Sequence, residues 1–77
     1  MKERLPSLTA RKVLQALDRA GFMQSRTSGG HVRLVKASDP MHSVTVPLHG
    51  GKDLRRSTVH SIIKQAGLNV DGFLKLL

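Results

Sequence analysis

The spacing of the apolar residues changes twice along this chain, and that change limits the folds open to it. Over residues 10–20 the apolar side chains recur every three or four positions, with Thr9 placed to cap a helix and Gly21 placed to end it. From residue 22 to residue 46 the spacing falls to two, which is typical of strands. Helical spacing returns at residues 59–66. The pattern predicts one helix, a set of strands and a second helix.

Two clusters of turn residues, at 28–30 and 37–40, divide the alternating region into three short runs and predict a three-stranded antiparallel meander. Alternation in the second run places Val32 and Leu34 on one face and His31 and Arg33 on the other. If the helices cover the valine and leucine face, His31 and Arg33 face solvent.

The second helix and the end of the chain also carry capping signals. Ser57 or Thr58 is placed to cap the second helix, and Gly67 to end it. Asp71 is placed to cap a short C-terminal helical turn, in which Phe73, Leu74 and Leu77 are expected to pack back onto the body. The expected architecture is therefore α+β, with the order αβββα and both helices on one face of the sheet.

Size and charge narrow the function. A chain of 77 residues has material for one core, so we expect a single domain over residues 1–77. Thirteen Lys and Arg against five Asp and Glu give a formal net charge of +8, which favours an anionic partner. The cations are spread over every segment instead of along one face of a long helix, and this favours nucleic acid over a membrane surface.

The location and the cofactor requirement follow from what the sequence lacks. There is no cysteine, hence no disulfide and no thiolate metal site. Residues 1–6 do not form a signal peptide, and no apolar run approaches the roughly 20 residues of a membrane span. The few carboxylates are scattered, and the histidines at 31, 42, 49 and 60 lack zinc-site spacing. We expect a cytoplasmic protein without a metal or other cofactor.

His31 is the best candidate for a reactive group. Gly29 and Gly30 precede it, so the backbone there can approach a phosphate closely, and Arg33 lies on the same face. An ordinary solvent-exposed strand histidine beside a Gly-Gly turn would give the same pattern, and the residues alone leave both interpretations open. His42 and His60 are expected to be structural or surface residues.

RNA offers an imidazole a reaction that needs no metal. Its 2′-hydroxyl can attack the adjacent phosphate once a general base removes the proton, and Arg33 or Lys52 can stabilise the negative charge that develops. DNA lacks that hydroxyl, so a histidine-based nuclease of this kind is expected to cut RNA. The alternatives are a non-catalytic RNA-binding module and a purely structural interaction domain. The short loop at residues 29–30 argues against a duplex-RNA reader, which needs contacts from several elements.

Several short strings, in order and at fixed spacing, carry a resemblance to a known family. They are Leu5-Pro6, Ala20-Gly21-Phe22, Ser28-Gly29-Gly30-His31, residues 44–50 and residues 61–68. Together they make the chain resemble the HicA toxins of HicA–HicB toxin–antitoxin systems, from about Leu5 to Phe73. The resemblance implies a double-stranded-RNA-binding-like fold and a metal-independent endoribonuclease that cleaves mRNA. It also implies inhibition by a HicB-like antitoxin in a hetero-oligomer.

The resemblance assigns roles to individual residues. The histidine of the family's Gly-Ser-His string, its catalytic residue, is His31 here, and the leading glycine is Gly29. Gly30 stands where the family usually has serine, and Ser28 is placed to supply a hydroxyl instead. A histidine after the Val-Pro pair is common in the family, and here it is His49, expected to help catalysis or contact RNA. Ser57 replaces the family's usual glycine, a change that a helix cap would accommodate.

Overall fold

The computed structural model of the chain describes residues 5–48 and 50–77. It has the predicted order of elements, with a third short helix at the end. The elements are helix α1 (Ala10–Arg19), strands β1 (Phe22–Ser28), β2 (His31–Lys36) and β3 (Asp39–Pro47), and helices α2 (Arg56–Gln65) and α3 (Val70–Leu74). The αβββα prediction is confirmed.

Helix α1 begins and ends where the sequence indicates. The Thr9 hydroxyl accepts a hydrogen bond from the Lys12 amide at 3.4 Å. The amides of a helix's first turn have no carbonyl partner within the helix, and the Thr9 side chain provides an acceptor for one of them. At the other end Gly21 adopts a φ of +95°, the left-handed conformation that stops a helix. Val13 and Leu17 are fully buried against the sheet side of the molecule.

The three strands form one antiparallel sheet in the order β1-β2-β3. Gly29 and Gly30 join β1 to β2 with φ values of +54° and +81°, as a two-residue type I′ hairpin turn requires. The second turn is shorter than the sequence suggests. Only Ala37 and Ser38 form it, because the following two residues already belong to β3.

Strand β1 contains an irregularity that the alternating pattern does not reveal. Gln24 pairs with Leu34, and Arg26 pairs with Arg33, the residue adjacent to Leu34 on β2. Ser25 therefore has no partner on β2 and is an extra residue in β1. This is a β-bulge, which changes the phase of the strand after Gln24. As a result Arg26 shares a face with Arg33, whereas strict alternation from Phe22 would place it on the opposite face.

Both of the predicted caps in the C-terminal half are wrong. The N-cap of α2 is Arg55, without a side-chain capping bond, and Ser57 and Thr58 already lie in the first turn. The start is set by the preceding Leu54, which is buried and whose amide donates to the Leu8 carbonyl at 2.8 Å. In α3 the cap is Asn69 instead of Asp71.

The contacts of Asn69 explain that difference. Its side-chain oxygen accepts from the Gly72 amide at 2.7 Å, three residues further along, which leaves Asp71 inside the first turn. The helix it caps covers the core with Phe73, which is fully buried. Leu74 is half-buried as expected, but Leu77 is 44% exposed, and Leu76 packs against the core in its place.

One face of the sheet faces the helices. Val32, Leu34, Val44 and Val46 are buried with the apolar residues of α1 and α2, including Val59, Ile62, Ile63 and Ala66. Their alternating neighbours His31, Arg33 and Thr45 are exposed. We call the face that carries these three residues the open face. The prediction that His31 and Arg33 face solvent is confirmed.

Candidate functional site

His31 occupies a corner of the open face. It is the first residue of β2, immediately after the Gly29-Gly30 turn, and it pairs with Ser28 on one side and Pro47 on the other. The Gly30 carbonyl accepts from the Leu48 amide at 2.7 Å, which continues the β2–β3 ladder into the turn. The backbone of this exposed histidine is therefore held from both neighbouring strands.

Within residues 5–48 and 50–77, the imidazole of His31 has one hydrogen-bond partner, and this contact favours one tautomer. Nδ1 lies 3.3 Å from the Gly29 carbonyl oxygen. A carbonyl can only accept, so Nδ1 carries the hydrogen in this contact and Nε2 has the free lone pair in the neutral ring. The carbonyl that makes this contact belongs to the turn, in which Gly29 has a φ of +54°.

A shallow groove of about 400 Å³ lies between β3 and α2, and His31 is one of its lining residues. Most of its other lining side chains are polar and hydroxyl-bearing. They are Thr45, Pro47, Ser57, Thr58, Ser61, Ile62 and Gln65. The groove therefore combines one imidazole with a row of neutral hydrogen-bonding groups, and it is open to solvent along its length.

Gln65 fixes one wall of this groove to the other. Its side-chain oxygen accepts from the Thr45 amide at 3.2 Å, and its side-chain nitrogen donates to the Ser61 hydroxyl at 3.3 Å. Thr45 lies on β3, an edge strand, so Gln65 satisfies an amide that has no neighbouring strand. The separation of β3 and α2 is thereby held by hydrogen bonds as well as by apolar packing.

Cationic side chains lie on the open face beside His31. Arg33 follows His31 by two residues on β2 and therefore points to the same side of the sheet. It is paired with Arg26 on β1 and with Thr45 on β3, and both arginines are exposed. The open face thus presents an imidazole in one row and two guanidinium groups in the next.

The structure brings together some of the predicted site residues and separates others. Ser28, Gly29, Gly30 and His31 form one hairpin turn, and Arg33 shares their strand pair. Lys52 is exposed but does not line the groove. It lies in the loop before Asp53, which pairs with Thr9 at the start of α1. His49 lies outside the described residues.

The α2 hydroxyl groups that line the groove, those of Ser57, Thr58 and Ser61, were not predicted from the sequence, and neither was the position of Arg26. Ser57 and Ser61 are four residues apart on α2, beside its apolar stripe, so helical spacing alone could have placed them on one face. The packing of that face of α2 beside β3 is a tertiary contact, and no local sequence pattern predicts it. The position of Arg26 depends on the bulge at Ser25, for which an alternating sequence gives no marker.

The other histidines have different surroundings. His42 binds the Gln65 carbonyl through Nε2 at 2.6 Å and packs edge-on against Phe22 at 5.4 Å between ring centroids, so it links β3 to the end of α2. His60 is exposed on α2 and does not line the groove. Among residues 5–48 and 50–77, no three His, Asp or Glu side chains are grouped as metal ligands. No helix in the same residues has the length and hydropathy needed to span a membrane.

Comparison with known families gives an identification. A family model described as the HicA toxin of bacterial toxin–antitoxin systems matches residues 10–68, from the start of α1 to just beyond α2. A comparison with curated proteins finds no match. The matched segment covers most of the chain and includes all three strands, the Gly-Gly turn and His31. The chain therefore belongs to the HicA toxins, the toxin components of bacterial toxin–antitoxin systems.

Proposed function

We propose that this toxin is an endoribonuclease that cleaves mRNA without a metal ion, with His31 as its catalytic residue. The observation that carries the proposal is the position of the imidazole: it is exposed and lines the groove, and its Nδ1 lies 3.3 Å from the Gly29 carbonyl oxygen, a contact that leaves Nε2 to act as the proton acceptor. A general base of this kind contributes about 10²–10⁴-fold to a reaction rate.

The chemistry proceeds by attack of the RNA on itself. Nε2 of His31 takes the proton of a 2′-hydroxyl, and the 2′-oxygen forms a bond to the adjacent phosphorus. The bond from phosphorus to the 5′-oxygen breaks, and that oxygen takes a proton from solvent. The products are a 2′,3′-cyclic phosphate and a 5′-hydroxyl, and the imidazolium then returns its proton to water.

The surroundings of His31 suit a phosphodiester. Arg33 supplies a guanidinium in the next row of the open face, and hydroxyls of Thr45 and Ser57 line the groove as neutral donors. Ser28, Gly29 and Gly30 bring exposed backbone close to the same point. Lys52, which does not line the groove, and His49 are proposed as further RNA contacts on the strength of the sequence alone.

We further propose that the antitoxin partner is HicB-like and binds the open face, forming a cytoplasmic hetero-oligomer. The toxin carries a formal net charge of +8, and in the part of the chain that the structure describes no helix covers the open face of the sheet. A partner with an acidic surface complements both properties. Co-expression of such a partner is expected to restore the growth of cells arrested by the toxin.

The decisive experiment incubates purified protein with RNA in the presence of a chelator and identifies the product ends. Cleavage to 2′,3′-cyclic phosphate termini is expected for the parent protein and for His60→Ala, the control histidine. His31→Ala is expected to lose about 10²–10⁴-fold in rate while keeping its fold by circular dichroism.

Two results would contradict the proposal. Equal cleavage by the His31→Ala protein would remove the catalytic assignment. Tight, salt-dependent binding of RNA by the parent protein with no cleavage product would show a non-catalytic RNA-binding module instead.

A further inference from the structure

Two arginines face each other directly across the β1–β2 pair. Arg26 and Arg33 are register partners, and residues paired in this way have Cα atoms about 4.5–5.5 Å apart with side chains on the same face. Like charges directly opposite one another destabilise a sheet. Within residues 5–48 and 50–77 the one salt bridge joins Lys75 and Asp71, so neither arginine is neutralised by a described carboxylate.

The bulge in β1 is what creates this pair. With Ser25 accommodated in a regular strand, alternation from the buried Phe22 would turn Arg26 toward the helices. The extra residue changes the phase, and Arg26 joins Arg33 on the open face. The bulge interrupts the hydrogen bonding between β1 and β2 and places a second positive charge beside the first. This arrangement lowers the stability of the fold unless an anion binds between the two arginines.

The pair also has a defined position relative to His31. Arg33 lies two residues beyond His31 on the same face, which is about 6.6 Å along the strand. The guanidinium pair therefore lies one row of the open face away from the imidazole. Guanidinium groups bind phosphate oxygens in a bidentate manner, and two of them can hold one phosphate from both sides.

We propose that Arg26 and Arg33 together bind the RNA phosphate next to the scissile one and so set the direction of the strand across the open face. The proposal rests on the proposed ribonuclease function, and it assigns to Arg26 a positioning role that the family match does not provide. RNA is favoured over an acidic protein segment because Arg33 lies on the same strand as His31 and Arg26 is its register partner on the adjacent strand, so that all three share the open face.

The test measures binding separately from cleavage. A fluorescent single-stranded RNA is titrated with His31→Ala protein, with and without the additional change Arg26→Gln, over a range of salt concentrations. Loss of one phosphate contact is expected to weaken binding roughly tenfold and to reduce the slope of log K against log salt by about 0.7. Arg11→Gln removes an equal charge from α1 and is expected to leave the slope nearly unchanged.

A double-mutant cycle with Arg33→Gln then tests whether both residues bind one phosphate. Sharing predicts that the second substitution costs much less than the first. Thermal unfolding provides the structural control, since removal of one of two opposed charges is expected to keep or raise the melting temperature.

Three outcomes overturn the proposal. Equal losses for Arg26→Gln and Arg11→Gln would show a general charge effect, additive losses in the cycle would show separate contacts, and an Arg26→Gln defect in antitoxin binding alone would show a protein-binding pair. These results are separable from failure of the ribonuclease function. That failure appears as an absence of cleavage by the parent protein, whatever the binding data show.

Discussion

Substitution of Gly30 by serine, the residue usual at this position in the family, tests how the turn supports His31. Gly30 has a φ of +81°, and its carbonyl accepts from the Leu48 amide. A Cβ built at this position meets nothing within 4 Å. The substitution therefore creates no clash, and its effect comes from backbone conformation alone.

The size of that effect can be worked out. A side chain in the left-handed region costs roughly 1–2 kcal/mol, and the lower chain entropy of the unfolded serine variant returns about 0.4–1 kcal/mol. The net loss is about 1 kcal/mol, which in a domain of this size lowers the melting temperature by about 4–8 °C. Gly30→Asn is expected to lose less, because asparagine tolerates this conformation.

Thermal unfolding followed by circular dichroism measures both variants, and RNA cleavage well below the transition measures the site. We expect Gly30→Ser to be less stable yet to cleave at nearly the parental rate, because the Gly29 carbonyl that binds His31 precedes the substituted residue. Unchanged melting temperatures for both variants would refute the reasoning, since they would show that residue 30 is not held left-handed in solution.

Two further substitutions test the ends of the helices. Thr9→Ala removes the α1 cap and is expected to lower the free energy of unfolding by about 1 kcal/mol in urea denaturation; no change would mean that solvent caps the helix equally well. Gly67→Ala is expected to lower the free energy of unfolding more than Gly30→Ala does in the same assay. Both positions have a positive φ, but a Cβ at residue 67 would also lie 3.1 Å from His42 Cε1. Equal losses of stability would show that the His42 ring moves aside without cost.

The order of elements and the faces of the strands were predictable because they depend on local patterns. Helical spacing, the Thr9 cap and the stop at Gly21 define α1, and the Gly29-Gly30 pair is the sequence of a type I′ turn. Once that turn fixes the register, alternation determines that His31 faces away from Val32. The exposure of His31 follows from these features without knowledge of the tertiary structure.

The features that were not predicted depend on contacts between distant segments. The start of α2 at Arg56 follows from the burial of Leu54 and its bond to Leu8, which lies far away in the sequence. The groove exists because Gln65 bonds to Thr45 across the edge of the sheet. The position of Arg26 depends on a single extra residue, and a one-residue shift in a strand exchanges its faces without changing its composition.

The size of the domain explains why its candidate site is on a surface. A chain of this length forms two layers, one of helices and one of strands. The helices can therefore cover one face of the sheet, and the other face is exposed to solvent. A site on that face cannot enclose its substrate, and it must orient the reacting groups by the rigidity of the strands. The contact between the Gly29 carbonyl and His31 and the hydrogen bond from Thr45 to Gln65 across the groove supply that rigidity. The same openness exposes the whole site to one partner, so an antitoxin that binds the open face has only to cover His31 and the adjacent arginines to silence the proposed activity.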